Sequence, residues 1–207
     1  MYANGPQTPS LMVIDDFFAD FDKARTAALD CEFRQRGKAF SYRYAEPPSW
    51  LQDEGVDRIS DLLGGGIRDE FIESHLLQAT TADWEANLRR GARVHIDEVR
   101  WVGVAYLNEH DQCSGGTSFY EHRATRFRHF GQLAGLPEPV VAGVLADGGD
   151  IDKWREIIAV GMVPNRLILF DPGQFHQAQH FFGDDATSAR LTHHFYFKHI
   201  PIDAPRQ

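Results

Sequence analysis

Between residues 71 and 200 the chain is broken into eight short runs rich in Val, Ile, Phe, Tyr and Thr, closed by Gly, Pro, Asn or Asp. They lie near 71–79, 93–96, 101–107, 117–120, 161–163, 166–170, 175–178 and 191–200. β-Branched and aromatic side chains suit a pleated, half-buried surface, and turn residues at this spacing return the chain on itself. Strands this short bury their apolar faces only by stacking two sheets or closing one, so the pattern predicts a mainly β chain, a sandwich or barrel.

Residues 1–69 read differently, as a mostly helical N-terminal support. Residues 10–14 form a short β-like run, after which Asp15 or Asp16 is placed to cap a helix to about Cys31, with Phe18, Phe21, Ala24 and Ala28 near helical spacing. A second helix is expected over 56–63, stopped by Gly64, Gly65 and Gly66. Residues 123–136 and 151–158 also read as helices, which makes 123–160 a helical insertion between strands, suited to covering a pocket mouth. No repeat or low-complexity linker divides the chain, so 1–207 is expected to be a single domain.

Composition excludes several classes of function. With 43% hydrophobic residues the chain has enough apolar surface to offset chain entropy, so a largely disordered protein is excluded. A formal charge of −9, with the basic residues scattered, repels a phosphate backbone and argues against nucleic acid as a partner. No basic leader precedes a long apolar run and no stretch of about eighteen apolar residues occurs, so no membrane partner and a cytoplasmic location are expected. Cys31 and Cys113 lack metal-ligand or redox spacing and are assigned no chemistry. The sequence leaves the oligomeric state open.

Three local patterns carry chemistry. In His95-Ile96-Asp97 a strand puts side chains i and i+2 on one face, so an imidazole and a carboxylate can converge on one ion. Downstream, the apolar run ending at Leu169-Phe170 turns at Asp171-Pro172-Gly173 and delivers Phe175-His176 at the start of the next run. Two histidines and a carboxylate on one face of a metal leave opposite positions open, as in non-haem Fe(II) sites that also take a co-substrate and O2. Arg190-Leu191-Thr192 opens the last run, where the same alternation joins a guanidinium and a hydroxyl on one face, a pairing that suits a carboxylate.

Taken in order, His95-x-Asp97, Tyr106-Leu107-Asn108, residues 115–119 (Gly-Gly-Thr-Ser-Phe), His176 and Arg190-Leu191-Thr192 resemble the Fe(II)/2-oxoglutarate dioxygenase superfamily, in its prolyl-4-hydroxylase-like branch. The resemblance covers about residues 70–200 and implies a double-stranded β-helix, the cupin-like jelly roll, with helical support ahead of it. It implies His95, Asp97 and His176 as iron ligands, Arg190 as the anchor of the distal carboxylate of 2-oxoglutarate, and Tyr106 and Thr192 as further donors to that carboxylate. The implied reaction consumes O2 and 2-oxoglutarate, releases succinate and CO2, and hydroxylates a C–H bond of a small molecule, amino acid or peptide. Asp97 speaks against halogenation, because halogenating relatives replace that carboxylate with a small residue.

One spacing departs from the branch: fourteen positions separate His176 from Arg190, where about ten is usual and His180 would give ten. His176 is preferred because a short turn ties it to the preceding strand, whereas His180 leads into a loop-like segment. Trp101, Tyr120 and the aromatics of residues 40–44 are candidate pocket walls, while the remaining histidines, His75, His110, His122, His129, His193, His194 and His199, are read as surface or packing residues, of which His122 and His194 are the two that can approach the cleft. The reading from another class is a cupin-like module that binds metal without redox turnover.

Overall fold

The computed structural model describes residues 10–35, 42–63, 65, 68–89, 94–97, 99 and 101–198. Arg93 of the second predicted run, Phe40 of the predicted pocket wall, Gly64 and Gly66, and His199 lie outside the described residues.

The N-terminal segment holds β1 (Leu11–Ile14), α1 (Phe21–Leu29), β2 (Arg34–Gln35), β3 (Arg43–Ala45) and α2 (Ser49–Leu62). The first helix starts later than predicted, because Asp16 sits at φ +53°, outside helical geometry. The cap is Asp20, whose side chain accepts the Lys23 amide at 3.0 Å. Phe17 and Phe18 therefore enter the core ahead of the helix, held by Asn165, which accepts the Phe18 amide at 2.7 Å and donates to the Phe18 carbonyl at 2.9 Å. The second helix starts earlier than predicted, directly after Pro47-Pro48.

Beyond it come β4 (Phe71–Ala79), α3 (Thr81–Arg89), β5 (Trp101–Tyr106), β6 (Gly116–His122), α4 (Glu138–Ala146), β7 (Trp154–Gly161), β8 (Leu167–Phe170), β9 (His176–Ala178) and β10 (Arg190–Phe197). Among the described residues seven strands form one sheet in the order β1-β8-β5-β10-β4-β3-β2 and three form a second in the order β7-β6-β9. The N-terminal segment is thus more than helical support, since β1 closes one edge of the large sheet and β3 with β2 extends the other.

The predicted helix over 151–158 is corrected: after a short 3-10 turn at Ile151–Lys153 the chain becomes β7, antiparallel to β6 from Gly116↔Gly161 to His122↔Trp154. Its Ile-Ile-Ala-Val run fits either period locally, and the free edge of β6 selects the strand. A predicted helix over 123–136 reduces to a 3-10 turn at Phe130–Leu133, while the helix of this insertion is α4, which follows Pro137.

Alternation along β10 assigns its two faces. Leu191, Phe195 and Phe197 join Phe17, Phe18, Leu51, Val56 and Ile59 in a core between the large sheet and its two helices. The α2 helix lies so close that a Cβ on Gly55 would run into the Phe195 ring. The opposite face meets the small sheet through a second core containing Val102, Val104, Tyr106, Phe119, Val160 and Phe170. A third cluster, with Tyr120, Trp154, Phe175 and Val144, covers the outer face of the small sheet. Two antiparallel sheets packed this way, with helices on the outer face of the larger one, constitute a jelly roll. No helix among the described residues is long and apolar enough to cross a membrane.

Candidate metal and co-substrate site

A cavity between the two sheets is lined by side chains from both, among them His95, Asp97, Thr117, His176, Arg190 and His194. Residues 94–97 run antiparallel to the start of β9: His95 donates its amide to the His176 carbonyl at 3.0 Å and receives the His176 amide at 2.9 Å. The Asp97 amide donates to the Pro172 carbonyl at 3.2 Å. That turn is set by Asp171, whose side chain accepts the Gly173 amide at 2.9 Å. Ile96, between the two polar residues, packs against the outer cluster, as alternation requires.

The side chains of His95, Asp97 and His176 consequently offer ligand atoms that all lie within 4.8 Å of one another. Nε2 of His176 is 3.4 Å from a carboxylate oxygen of Asp97, and the His95 and His176 rings are 4.5 Å apart. Nδ1 of His176 is 2.8 Å from the Gln174 carbonyl, an acceptor only, so Nδ1 carries a proton and Nε2 is the ring atom that faces Asp97. Burial pushes the Asp97 carboxyl up, but the hydrogen bond and charge of His176, with His95 and His194 nearby, outweigh it and hold the group below the usual carboxylate range. His180 is directed elsewhere, its Nε2 lying 2.8 Å from the Ser114 hydroxyl.

Arg190 is 5% exposed, and its guanidinium lies 5.6 Å from the centre of the Tyr106 ring and 5.8 Å from that of Phe181. Its Nε is buried without a hydrogen-bond partner, and no carboxylate among the described residues forms an ion pair with it. Burial pushes the guanidinium down, opposed by Tyr106, yet the ordinary value is so high that the charge persists.

Tyr106 and Thr192, expected as further donors to the carboxylate held by Arg190, lie deeper than the cavity wall. Both are fully buried, and neither lines the cavity. The Tyr106 hydroxyl is 3.0 Å from Thr117 Oγ1, and Thr192 Oγ1 is 3.0 Å from His194 Nε2, so each stands behind a residue that does line it. Sequence reasoning missed Thr117 as a lining hydroxyl, although it opens the run after Gly115-Gly116. His194 continues the series Arg190, Thr192, His194 on one strand face; burial and the charges of His75 and Arg190 hold its imidazole neutral, well below the ordinary value.

Of the predicted pocket walls, Tyr42 lines the cavity. Trp101 lies in the helix-covered core and Tyr120 in the outer cluster. His122 also faces outward, paired with Asp147 at 3.0 Å.

A family model described as "Family of unknown function (DUF6445)" matches residues 2–197. The chain belongs to that family. No curated protein matches the sequence. Among solved structures, a Pseudomonas putida prolyl-4-hydroxylase superposes with a TM-score of 0.50 at 17% identity, over 93% of this chain and 94% of that one. The non-haem α-ketoglutarate-dependent carbocyclase SnoK from nogalamycin biosynthesis gives 0.52 at 15% identity, over 91% and 79%. HygX from Streptomyces hygroscopicus, with nickel, 2-oxoglutarate and hygromycin B bound, gives 0.50 at 12% identity, over 91% and 82%. The likeness is one of fold, a jelly roll shared with 2-oxoglutarate-dependent oxygenases. All three fit about equally, so the resemblance to the prolyl-4-hydroxylase branch widens to that fold as a whole.

Proposed function

We propose that this protein is an Fe(II)- and 2-oxoglutarate-dependent oxygenase in which His95, Asp97 and His176 hold the iron and Arg190 anchors the far carboxylate of 2-oxoglutarate. The observation that carries the reading is Arg190: a buried guanidinium without a carboxylate partner among the described residues, in the same cavity as a convergent His-Asp-His group. An uncompensated buried charge is costly, and a dicarboxylic ligand supplies the missing counter-charge when it binds.

The donor set fits the metal. Two imidazoles and one carboxylate suit divalent iron and leave coordination positions for a chelating co-substrate and O2. When bound, iron and 2-oxoglutarate would activate O2, the oxidant, to attack a C–H bond, one oxygen atom leaving in succinate alongside CO2 and the other going to the substrate. The protein's own part is preorganisation. Gln174 fixes the His176 tautomer, Asp97 is held ionised, and Thr117 offers a hydroxyl to the cavity that Arg190 also lines, oriented by its hydrogen bond with Tyr106. Val102, Val104 and Phe170 wall the cavity with apolar surface that limits water.

Hydroxylation of a small molecule, amino acid or short peptide is the proposed default outcome. A carbocyclase on the same fold shows that product structure must decide it. A metal-binding module without turnover leaves Arg190 unexplained. The test is succinate formation from 2-oxoglutarate by the full chain supplied with Fe(II) in air. The wild type is expected to exceed Asp97→Ala at least tenfold, and equal rates would reject the assignment.

A further inference from the structure

Glu121 lies two residues beyond Phe119 on β6, on the same face as Thr117 and Phe119. Thr117 lines the cavity, and Phe119 is the register partner of His176 with the two rings 6.3 Å apart. Two residues of strand advance about 7 Å, so Glu121 stands about that far along the strand from the level of His176, away from Thr117.

Its carboxylate is 1% exposed and receives three guanidiniums: Arg126 Nε at 3.0 Å, Arg128 Nε at 2.8 Å and Arg155 at 2.7 Å. Arg155 comes from β7, where it is the register partner of Glu121, and the Arg128 carbonyl accepts the amide of Phe175, the residue before His176. The cluster is therefore tied through Arg128 to the segment that delivers His176.

One carboxylate balances one guanidinium. Among the described residues no second carboxylate forms an ion pair with any of the three, which leaves a local excess of two positive charges on a chain whose formal net charge is −9. The arginine side chains are 63%, 59% and 42% exposed, yet Nε of Arg155 is buried and lacks a hydrogen-bond partner. A network serving only to neutralise Glu121 needs neither the surplus charge nor the unused buried donor.

Resting on the oxygenase reading, we propose that Arg126, Arg128 and Arg155, oriented by Glu121, form the recognition site for an oxyanion, a carboxylate or phosphate, carried by the substrate. Arginine forks suit both groups and remain charged. The anion would dock at the arginines while the remainder of the substrate extends along β6 toward His176, so the substrate class is an anionic small molecule or acidic peptide segment.

The test uses the full chain saturated with Mn(II) and 2-oxoglutarate, so that Arg190 is taken, and phenyl phosphate and benzoate as probes. Calorimetry reports binding, and Mn(II)-induced relaxation of the ring protons reports nearness to the metal. At least one probe is expected to bind saturably with enhanced relaxation, its affinity falling tenfold or more in Arg128→Gln and in Arg155→Gln. The stronger binder separates phosphate from carboxylate recognition. Glu121→Gln, which removes the competing carboxylate, is expected to bind at least as tightly, whereas a purely structural cluster would lose stability without any effect on the probes. No binding, or equal binding in wild type and both arginine variants, overturns the proposal. A protein that takes up neither Mn(II) nor 2-oxoglutarate sinks the oxygenase reading instead, and the calorimetric comparison still decides whether the arginines bind anions.

Discussion

A guanidinium enclosed between two sheets must be charged, and Arg190 lacks a carboxylate partner among the described residues. Replacing it by glutamine removes an expense from the ligand-free protein and a counter-charge from the bound one. Arg190→Gln is therefore expected to leave thermal stability unchanged or raised, with Mn(II) affinity unaffected. Its 2-oxoglutarate affinity should fall at least thirtyfold, about 2 kcal/mol, read by calorimetry. His193 offers a pH prediction. Burial first, and then the charge of His75, lower its pKa from 6.5 to about 3 in the folded protein. Between those values the unfolded chain holds the proton and the folded one does not, so stability falls as pH drops from about 6.5 toward 3, by at most about 1.4 kcal/mol per unit. His193→Gln is expected to flatten that slope in urea unfolding measured at pH 7, 6 and 5. The residues that alternation brings together, His95 with Asp97 and Arg190 with Thr192, were legible because a strand period of two can be read from spacing. Thr117 and the arginines around Glu121 were not, because the turn that folds Arg126 and Arg128 back onto Glu121, the pairing of β6 with β7 that adds Arg155, and the Tyr106 contact to Thr117 leave no periodic spacing to read.

Strands with strong apolar runs and clear turn residues, β4, β5, β8 and β10, lie close to where the sequence placed them. Two elements were misread: the helix expected over 123–136, which is a 3-10 turn followed by α4, and β7, whose period is fixed by its pairing with β6 and whose bulge at Ile157 blurs the alternation. The start of α1 was misread because a residue of left-handed conformation, Asp16, breaks an otherwise helical pattern. The approach of α2 to β10 was invisible for another reason: a helical glycine reads as a weak point until the ring against it is known. Gly55→Val should force the Phe195 ring out of place and destabilise the fold by about 1–3 kcal/mol in urea unfolding, with the strand pairing retained by circular dichroism.

For the whole molecule, the candidate ligands come from residues 94–97 and β9, and the anchor from β10, so ligand binding ties the small sheet to the large one. Metal and 2-oxoglutarate at about a hundred times their dissociation constants are expected to add about 2.7 kcal/mol each, about 5 kcal/mol together, a rise of roughly 10–20 °C in unfolding temperature for a domain of this size. Asp97→Ala should abolish that rise while Arg128→Gln keeps it. The most direct measurement is the visible difference spectrum of the full chain mixed anaerobically with Fe(II) and 2-oxoglutarate. A metal-to-ligand charge-transfer band is expected in the wild type, absent in Asp97→Ala and shifted to higher 2-oxoglutarate concentration in Arg190→Gln. Wild-type protein that binds iron yet develops no band at saturating 2-oxoglutarate would contradict the central claim.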